Sequence, residues 1–219
     1  MERKAAVFGS TGLVGYNLLR VLDENRNYHE IVAYRRNLNQ SNPFQKVKFV
    51  EFGANISIEP DTNDVFICLG TTMKKAGSKE AFKAVDLDMV IEIAHKAYQA
   101  GVKRIVAISS IGANQISRNF YLRTKGQMEE ELKKFDFELV AIVRPSILLG
   151  KRNEYRLGES IGIWFFHTFR FIFVGPLRQY RGIDASDVAK AMVQLALTAK
   201  GKVTVESEVL KQIADVYKP

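Results

Sequence analysis

Residues 8–15 read Phe8-Gly9-Ser10-Thr11-Gly12-Leu13-Val14-Gly15, directly after the short apolar run Ala5–Phe8. They open a segment in which Leu13, Leu18, Leu19 and Leu22 recur at helical spacing. A strand, a glycine turn and a helix, in that order, give each glycine a task. Gly9 permits the tight turn, Gly12 lets a pyrophosphate approach the backbone, and Gly15 lets the helix pack close to the strand. The first N–H groups of such a helix lack partners within it and face the anion. Glycines at this spacing are weak evidence alone. Placed between a first strand and a first helix, they point to a bound dinucleotide.

Outward from the turn, short apolar runs alternate with amphipathic stretches. Strands are predicted at Ala5–Phe8, Ile31–Tyr34, Val47–Val50, Val65–Leu69, Arg104–Ile108 and Leu139–Val143. Most lack period-2 alternation, as strands covered on both faces do. Val85, Met89, Ile93 and Ala97 mark a second helix ending near Gly101. Tyr121 to Lys134 forms a third, with Glu129, Glu130, Glu131, Lys133 and Lys134 as its solvent face. A last helix is expected over Ser186–Ala199, capped by Ser186 or Asp184. From Glu51 to Asp64 no crossover helix is legible, so that connection should be short and irregular. The alternation predicts an α/β fold, a doubly wound parallel sheet with right-handed crossovers. One domain is expected for 1–219, with residues 151–182 inserted as a substrate lid.

Composition narrows the function classes. Lys and Arg number 32 against 24 Asp and Glu, a net charge of +8, and 47% of residues are hydrophobic, which argues against disorder. A single cysteine, Cys68, excludes an intramolecular disulfide and fits a reducing compartment. Met1-Glu2-Arg3-Lys4 leads straight into the first strand, so no signal peptide is expected. The longest apolar stretch, Ile161 to Val174, is broken by His167 and Arg170 and is too short to span a bilayer. A cytoplasmic protein is the expectation. Lys74, Lys75, Lys79 and Lys83 are the best cluster for nucleic acid, but their helical intervals read as a solvated face, and no nucleic-acid partner is expected. His29, His95 and His167 suggest no metal site.

The end of the second strand selects the nucleotide. An NAD site usually places a carboxylate there for the ribose 2′-hydroxyl, whereas this chain has Ala33-Tyr34-Arg35-Arg36-Asn37. Two guanidiniums suit a 2′-phosphate, so NADP(H) is preferred over NAD(H). The run Val65–Leu69 ends on Gly70, where backbone can line a dinucleotide groove, and Cys68 within it reads as a structural thiol.

Chemistry is expected at the next strand end. Ser109 and Ser110 close the run Arg104–Ile108, and Tyr121 and Lys125 follow with the four-residue spacing that puts both on one helix face. A tyrosine with an ordinary pKa of about 10 is a poor acid or base at neutral pH, and a nearby ammonium moves it toward use. A serine hydroxyl could hold a substrate carbonyl against the phenol. Spacing does not separate Ser109 from Ser110 in that role; Ser109 is favoured. With eight tyrosines in the chain, the pair gains its weight from its place in the order of motifs.

That order resembles an atypical short-chain dehydrogenase/reductase, over about Ala5 to Ala199. The fragments that carry the resemblance are Gly-Ser-Thr-Gly-Leu-Val-Gly (9–15), Cys-Leu-Gly-Thr-Thr (68–72), Phe-Lys-Ala-Val-Asp (82–86), Ser-Ser-Ile-Gly-Ala (109–113), Tyr-Leu-Arg-Thr-Lys-Gly (121–126) and Arg-Pro-Ser-Ile-Leu-Leu-Gly (144–150). Together they are most similar to the Tat-interacting-protein-like branch, which implies a Rossmann fold and NADPH. The resemblance implies that Gly9, Ser10, Thr11, Gly12, Leu13, Val14 and Gly15 form the pyrophosphate turn and that Arg35 and Arg36 hold the 2′-phosphate. It further implies Leu69 and Gly70 on the adenine side, Tyr121 and Lys125 at the nicotinamide ribose, and Leu148 and Arg156 closing over the cofactor. Two positions depart from it. Asp86 stands near where many relatives carry an asparagine that relays protons through water, and the acid that often contacts adenine is at best Glu51.

Residues 151–182 carry Trp164, Phe165, Phe166, Phe169, Phe171 and Phe173 beside Arg152, Arg156, Arg170, Arg178 and Arg181. They read as a pocket wall for an apolar or acidic substrate, or as core and subunit contact. The sequence thus supports an NADP(H)-dependent oxidoreductase of a carbonyl-type small molecule. The alternative is a dinucleotide-binding regulatory protein whose cofactor alters its affinity for a protein partner.

Overall fold

Arg3–Phe8 forms β1, and its side chains point alternately to two buried faces: Ala5 and Val7 to one, Ala6 and Phe8 to the other. This is why the run shows no alternation of apolar and polar residues. The computed structural model describes residues 2–39, 41–53, 56–150 and 182–219. In chain order β1 is followed by α1 (Leu13–Glu24), β2 (Tyr28–Arg35), β3 (Val47–Glu51) and β4 (Asp64–Ile67). Next come α2 (Met73–Ala76), α3 (Lys79–Lys83), one π turn (Ala84–Asp88), α4 (Met89–Gln99), β5 (Arg104–Ile108), α5 (Phe120–Lys133) and β6 (Leu139–Arg144). The short strands β7 (Leu148–Leu149) and β8 (Ile183–Asp184) precede α6 (Ala185–Thr198), β9 (Gly201–Glu206) and α7 (Ser207–Asp215).

The main sheet is parallel throughout, in the order β3-β2-β1-β4-β5-β6-β9. This is the doubly wound arrangement of a Rossmann fold, with the reversal of strand order beside β1. One face of the sheet is covered through Val14, Leu18, Leu19 and Leu22 of α1, Val188 and Met192 of α6 and Leu210 of α7. The other is covered through Ile93 and Ala97 of α4 and Met128 and Leu132 of α5. Among the described residues no helix joins β3 to β4, as the irregular stretch 51–64 implies.

Several details depart from the sequence reading. The apolar run Val65–Leu69 leaves the sheet after Ile67, although the Cys68 N–H still donates to the Phe8 carbonyl at 2.8 Å. The helix expected around Val85–Ala97 begins earlier and contains the π turn, which carries Asp86. Glu129 is not on the solvent face of α5; it is 1% exposed, while Glu130 and Glu131 pair outward with Lys133 and Lys134. Asp184 caps α6 through its bond from the Ser186 N–H. Strand β9 and helix α7 have no counterpart in the sequence reading. Lys202-Val203-Thr204-Val205-Glu206 is a half-exposed strand that, among the described residues, pairs with β6 alone, so it lacks the dense apolar signal of its neighbours. The expected lid 151–182 lies outside the described residues up to position 181.

At the opposite end of the sheet, buried Asp64 accepts the Tyr28 hydroxyl at 2.8 Å and lies 3.1 Å from Arg3 Nε. Burial pushes the Asp64 carboxyl up to about 6, outweighing the pull of Arg3 and the Tyr28 hydrogen bond. The folded state therefore holds this proton more tightly than the unfolded chain, whose aspartate titrates near about 3.9. The stability that protonation contributes is complete below the unfolded value and is lost as pH rises through about 6. Against an Asp64→Asn control, the wild-type unfolding free energy should rise as pH falls from about 7 to about 4, in urea titrations at a series of pH values. An unchanged difference would mean that the carboxyl is not held protonated.

Candidate functional site at the carboxyl edge of the sheet

The turn between β1 and α1 is built on backbone contact. Gly9 has φ +81°, and a Cβ there would lie 2.5 Å from the Cys68 carbonyl oxygen. A Cβ on Gly15 would lie 2.1 Å from the Gly9 carbonyl oxygen. The Gly12 N–H donates to that same Gly9 carbonyl at 3.0 Å, and Gly12 and Thr11 are exposed. Among the described residues no side chain caps α1 at Gly12, as the glycine at that position implies. Ser10 is turned inward, its hydroxyl donating to the Tyr34 carbonyl at 3.1 Å, so it ties the turn to β2. Val14 and Gly15 are buried, and Leu13 packs beside Gly150 and the core.

The two arginines after β2 separate. Arg35 is buried, with its guanidinium 3.6 Å from the Phe49 ring centroid and a bond to the Leu38 carbonyl at 3.1 Å. Arg36 is exposed at the same edge. Glu51 is exposed on β3, in register with Arg35. At the end of β4, burial pushes the Cys68 thiol up to about 12, which makes it a structural group. Leu69 is half-buried and Gly70 exposed.

Tyr121, Lys125 and Glu129 follow one another along one face of α5, which starts at the Asn119 cap. That helix lies close to the loop after β5, since a Cβ on Gly126 would lie 2.2 Å from Asn114 and Gln115 backbone atoms. Facing it, the stretch from α3 into the π turn contributes Phe82, whose ring centroid lies 5.6 Å from that of Tyr121. One turn later Asp86 lies 2.7 Å from Lys125 Nζ, both side chains almost wholly buried. The second Asp86 oxygen accepts the Thr71 N–H at 2.8 Å. A Cβ on Gly70 would come within 3.5 Å of Asp86 and 3.9 Å of Lys125 Nζ, so Gly70, expected on the adenine side, lies next to the lysine expected at the nicotinamide ribose.

The serines divide. Ser109 is buried and donates to the Glu129 carboxylate, which Arg144 also binds through Nε at 2.9 Å. Arg144 further reaches Glu206 at 2.9 Å and the Ala113 carbonyl at 3.1 Å. A polar cavity of about 310 Å³, lined by Asn114, Gln115, Glu130 and Arg144 among others, adjoins this cluster. The Ser109 hydroxyl is thus committed to structure. Ser110 is half-buried, and among the described residues its hydroxyl has a long 3.4 Å contact to the Ile111 carbonyl. Leu148 is half-buried against the core in β7, and Arg156 lies outside the described residues. Sequence reasoning missed Phe82, Glu129 and Arg144, and it noted Asp86 only as a departure. The spacing of Phe82 and Asp86, matched to Tyr121 and Lys125, was the available signal.

These residues fit a nicotinamide dinucleotide. The glycine turn is exposed at Thr11 and Gly12 and opens a helix whose N-terminus carries no side-chain cap among the described residues, which suits a pyrophosphate, and the cationic Arg36 and Lys125 stand at the same sheet edge.

A family model described as NAD(P)H-binding matches residues 9–199. The chain is similar to Protein FMP52-1, mitochondrial, of Scheffersomyces stipitis, 32% identical over 98% of each chain. It is also similar to Protein FMP52, mitochondrial, of Candida albicans, 34% identical over 87% of this chain and 86% of that one. Among solved structures, a UDP-N-acetylglucosamine 4-epimerase from Methanobrevibacter ruminantium M1 has a TM-score of 0.70 at 14% identity, covering 98% of this chain and 82% of that one. The oxidoreductase ylbE from Lactococcus lactis gives 0.64 at 20% identity over 99% of both chains. At these identities the likeness to the solved structures is one of fold. The expectation of a cytoplasmic protein is corrected by the relatives, which are named as mitochondrial proteins. A lone free cysteine and a basic surface suit either compartment, so composition could not decide between them.

The Glu129 cluster should carry more stability than its serine alone. Glu129→Leu leaves Arg144 short of its principal partner and should cost about 3 kcal/mol. Ser109→Ala removes one hydrogen bond and should cost about 1 kcal/mol. Urea midpoints of the two variants check the order.

Proposed function

The chain belongs to the NAD(P)H-binding family, and on that premise we propose that it is a reductase that uses NADPH, in preference to NADH, on a carbonyl-bearing small molecule. The observation that carries this reading is the convergence at Gly70. Lys125 of α5 reaches the end of β4, whose Cys68 carbonyl packs on Gly9 of the phosphate turn, so the tyrosine–lysine face and the glycine turn border one edge. The names of the curated relatives support a mitochondrial setting.

The reduced nicotinamide, when bound, supplies a hydride to the carbonyl carbon. Tyr121 donates its phenolic proton to the carbonyl oxygen as the new C–H bond forms, and Lys125 steadies the charge left on the phenol. Ser110 donates a hydrogen bond to the same oxygen and favours its developing negative charge. Ser110 takes this role because Ser109 is committed to Glu129. Arg36 is the guanidinium assigned to the 2′-phosphate, because Arg35 is buried on Phe49. Gly9, Thr11, Gly12 and the opening of α1 hold the pyrophosphate, with Leu69 and Gly70 along the groove.

Fluorescence titration with both reduced cofactors tests the nucleotide assignment. NADPH should bind at least about tenfold more tightly than NADH, and Arg36→Ala should remove most of that difference, as loss of a charged hydrogen bond implies. Equal affinities in the wild type would overturn it. Against a panel of aldehydes and ketones, Tyr121→Phe should slow NADPH oxidation by about a hundredfold or more while NADPH still binds. Unchanged turnover would assign the proton to another group.

A further inference from the structure

Two helical segments meet at the site with matched spacing. Phe82 and Asp86 face Tyr121 and Lys125, each pair one helical turn apart, with rings 5.6 Å apart in one couple and charges 2.7 Å apart in the other. The π turn over Ala84–Asp88 is the local irregularity that carries Asp86. Such turns recur where a side chain must be aimed at a functional position. The carboxylate is anchored from behind by the Thr71 N–H and is 0% exposed. It makes a close ion contact with Lys125 rather than an aligned hydrogen bond. Gly70, itself exposed, lies next to the pair: a Cβ there would come within 3.5 Å of Asp86 and 3.9 Å of Lys125 Nζ.

A buried ammonium without a counter-charge disfavours a cationic ligand beside it. The nicotinamide ring is cationic when oxidised and neutral when reduced, so an unbalanced Lys125 would bind the reduced form selectively. We propose that Asp86 is a positioning residue that balances the charge of Lys125, so that the site holds oxidised and reduced cofactor with comparable affinity. The proposal rests on the reading that a nicotinamide dinucleotide binds over Gly70. It adds the redox state of that ligand as something the protein itself controls. Removal of the negative charge at fixed shape leaves the ammonium uncompensated in a poorly solvated place, where one charge acts on another over several ångströms.

Calorimetric titration of the full chain with NADP+ and with NADPH tests it. In the wild type the two dissociation constants should agree within about threefold. Asp86→Asn, which keeps an acceptor for the Thr71 N–H, should weaken NADP+ by about tenfold more than NADPH. The neutral double variant Asp86→Asn/Lys125→Gln should return the ratio to the wild-type value, a restoration that no purely structural role predicts. If Asp86→Asn does not fold, Lys125→Gln reports on the same balance: it leaves the carboxylate unopposed, and the ratio should swing toward NADP+. Equal losses for both cofactors, or a ratio that stays fixed in every variant, would overturn the role of Asp86 while leaving the dinucleotide reading intact. Binding of only one of the two by the wild type would also overturn the role of Asp86, whereas failure of both to bind would overturn the dinucleotide reading, and the proposal with it.

Discussion

No side chain fits between the first helix and the turn that leads into it. With a Cβ on Gly15 only 2.1 Å from the Gly9 carbonyl oxygen, α1 can lie where it does only because position 15 lacks a side chain. This contact fixes how closely α1 packs on the turn, and Gly12 opens the helix with no side-chain cap among the described residues. It also seats Gly9 against the Cys68 carbonyl, so the end of β4 is held over the turn and Gly70 is carried toward α5. The groove is therefore a product of backbone packing first and of side chains second.

Charge is buried on purpose around that groove, and in pairs. An isolated ion in such surroundings would carry a large desolvation penalty, and the buried charges of Lys125 and Glu129 each have an opposite charge held by further hydrogen bonds. Asp86 opposes Lys125 and is anchored by Thr71. Glu129 opposes Arg144 and also receives Ser109. The second pair joins α5 to the ends of β5 and β6, and through Glu206 to the C-terminal strand and helix. One helix face thus holds Tyr121 toward Phe82, Lys125 toward Asp86 and Glu129 toward Arg144. The division between Ser109 and Ser110 follows from the same arrangement, because one hydroxyl completes the Glu129 cluster and its neighbour does not.

The sheet was legible because its strands are buried on both faces and declare themselves as dense apolar runs. The glycine turn was legible because its demands are local and steric. Where the fold was missed, the local signal was weak: Lys202–Glu206 alternates polar and apolar residues at an edge, and only its register with β6 makes it a strand. Glu129 was misread for a related reason. It opens a run of three glutamates whose other two members pair with lysines in solvent, and nothing in that run shows that the first turns inward. The two arginines after β2 were likewise indistinguishable until Phe49 of the neighbouring strand was found beneath one of them.

The apolar runs of the inner strands, the glycine turn and the four-residue spacing of Tyr121 and Lys125 are properties of sequence alone, since each depends on residues within a few positions of one another. The identity of each polar side chain's partner is not. Lys125 meets Asp86, Ser109 meets Glu129, and Arg144 meets Glu206, each across a separation that only folding closes. Tertiary structure decides these matters because a charge or hydroxyl removed from water is held by whatever group the packing brings within reach.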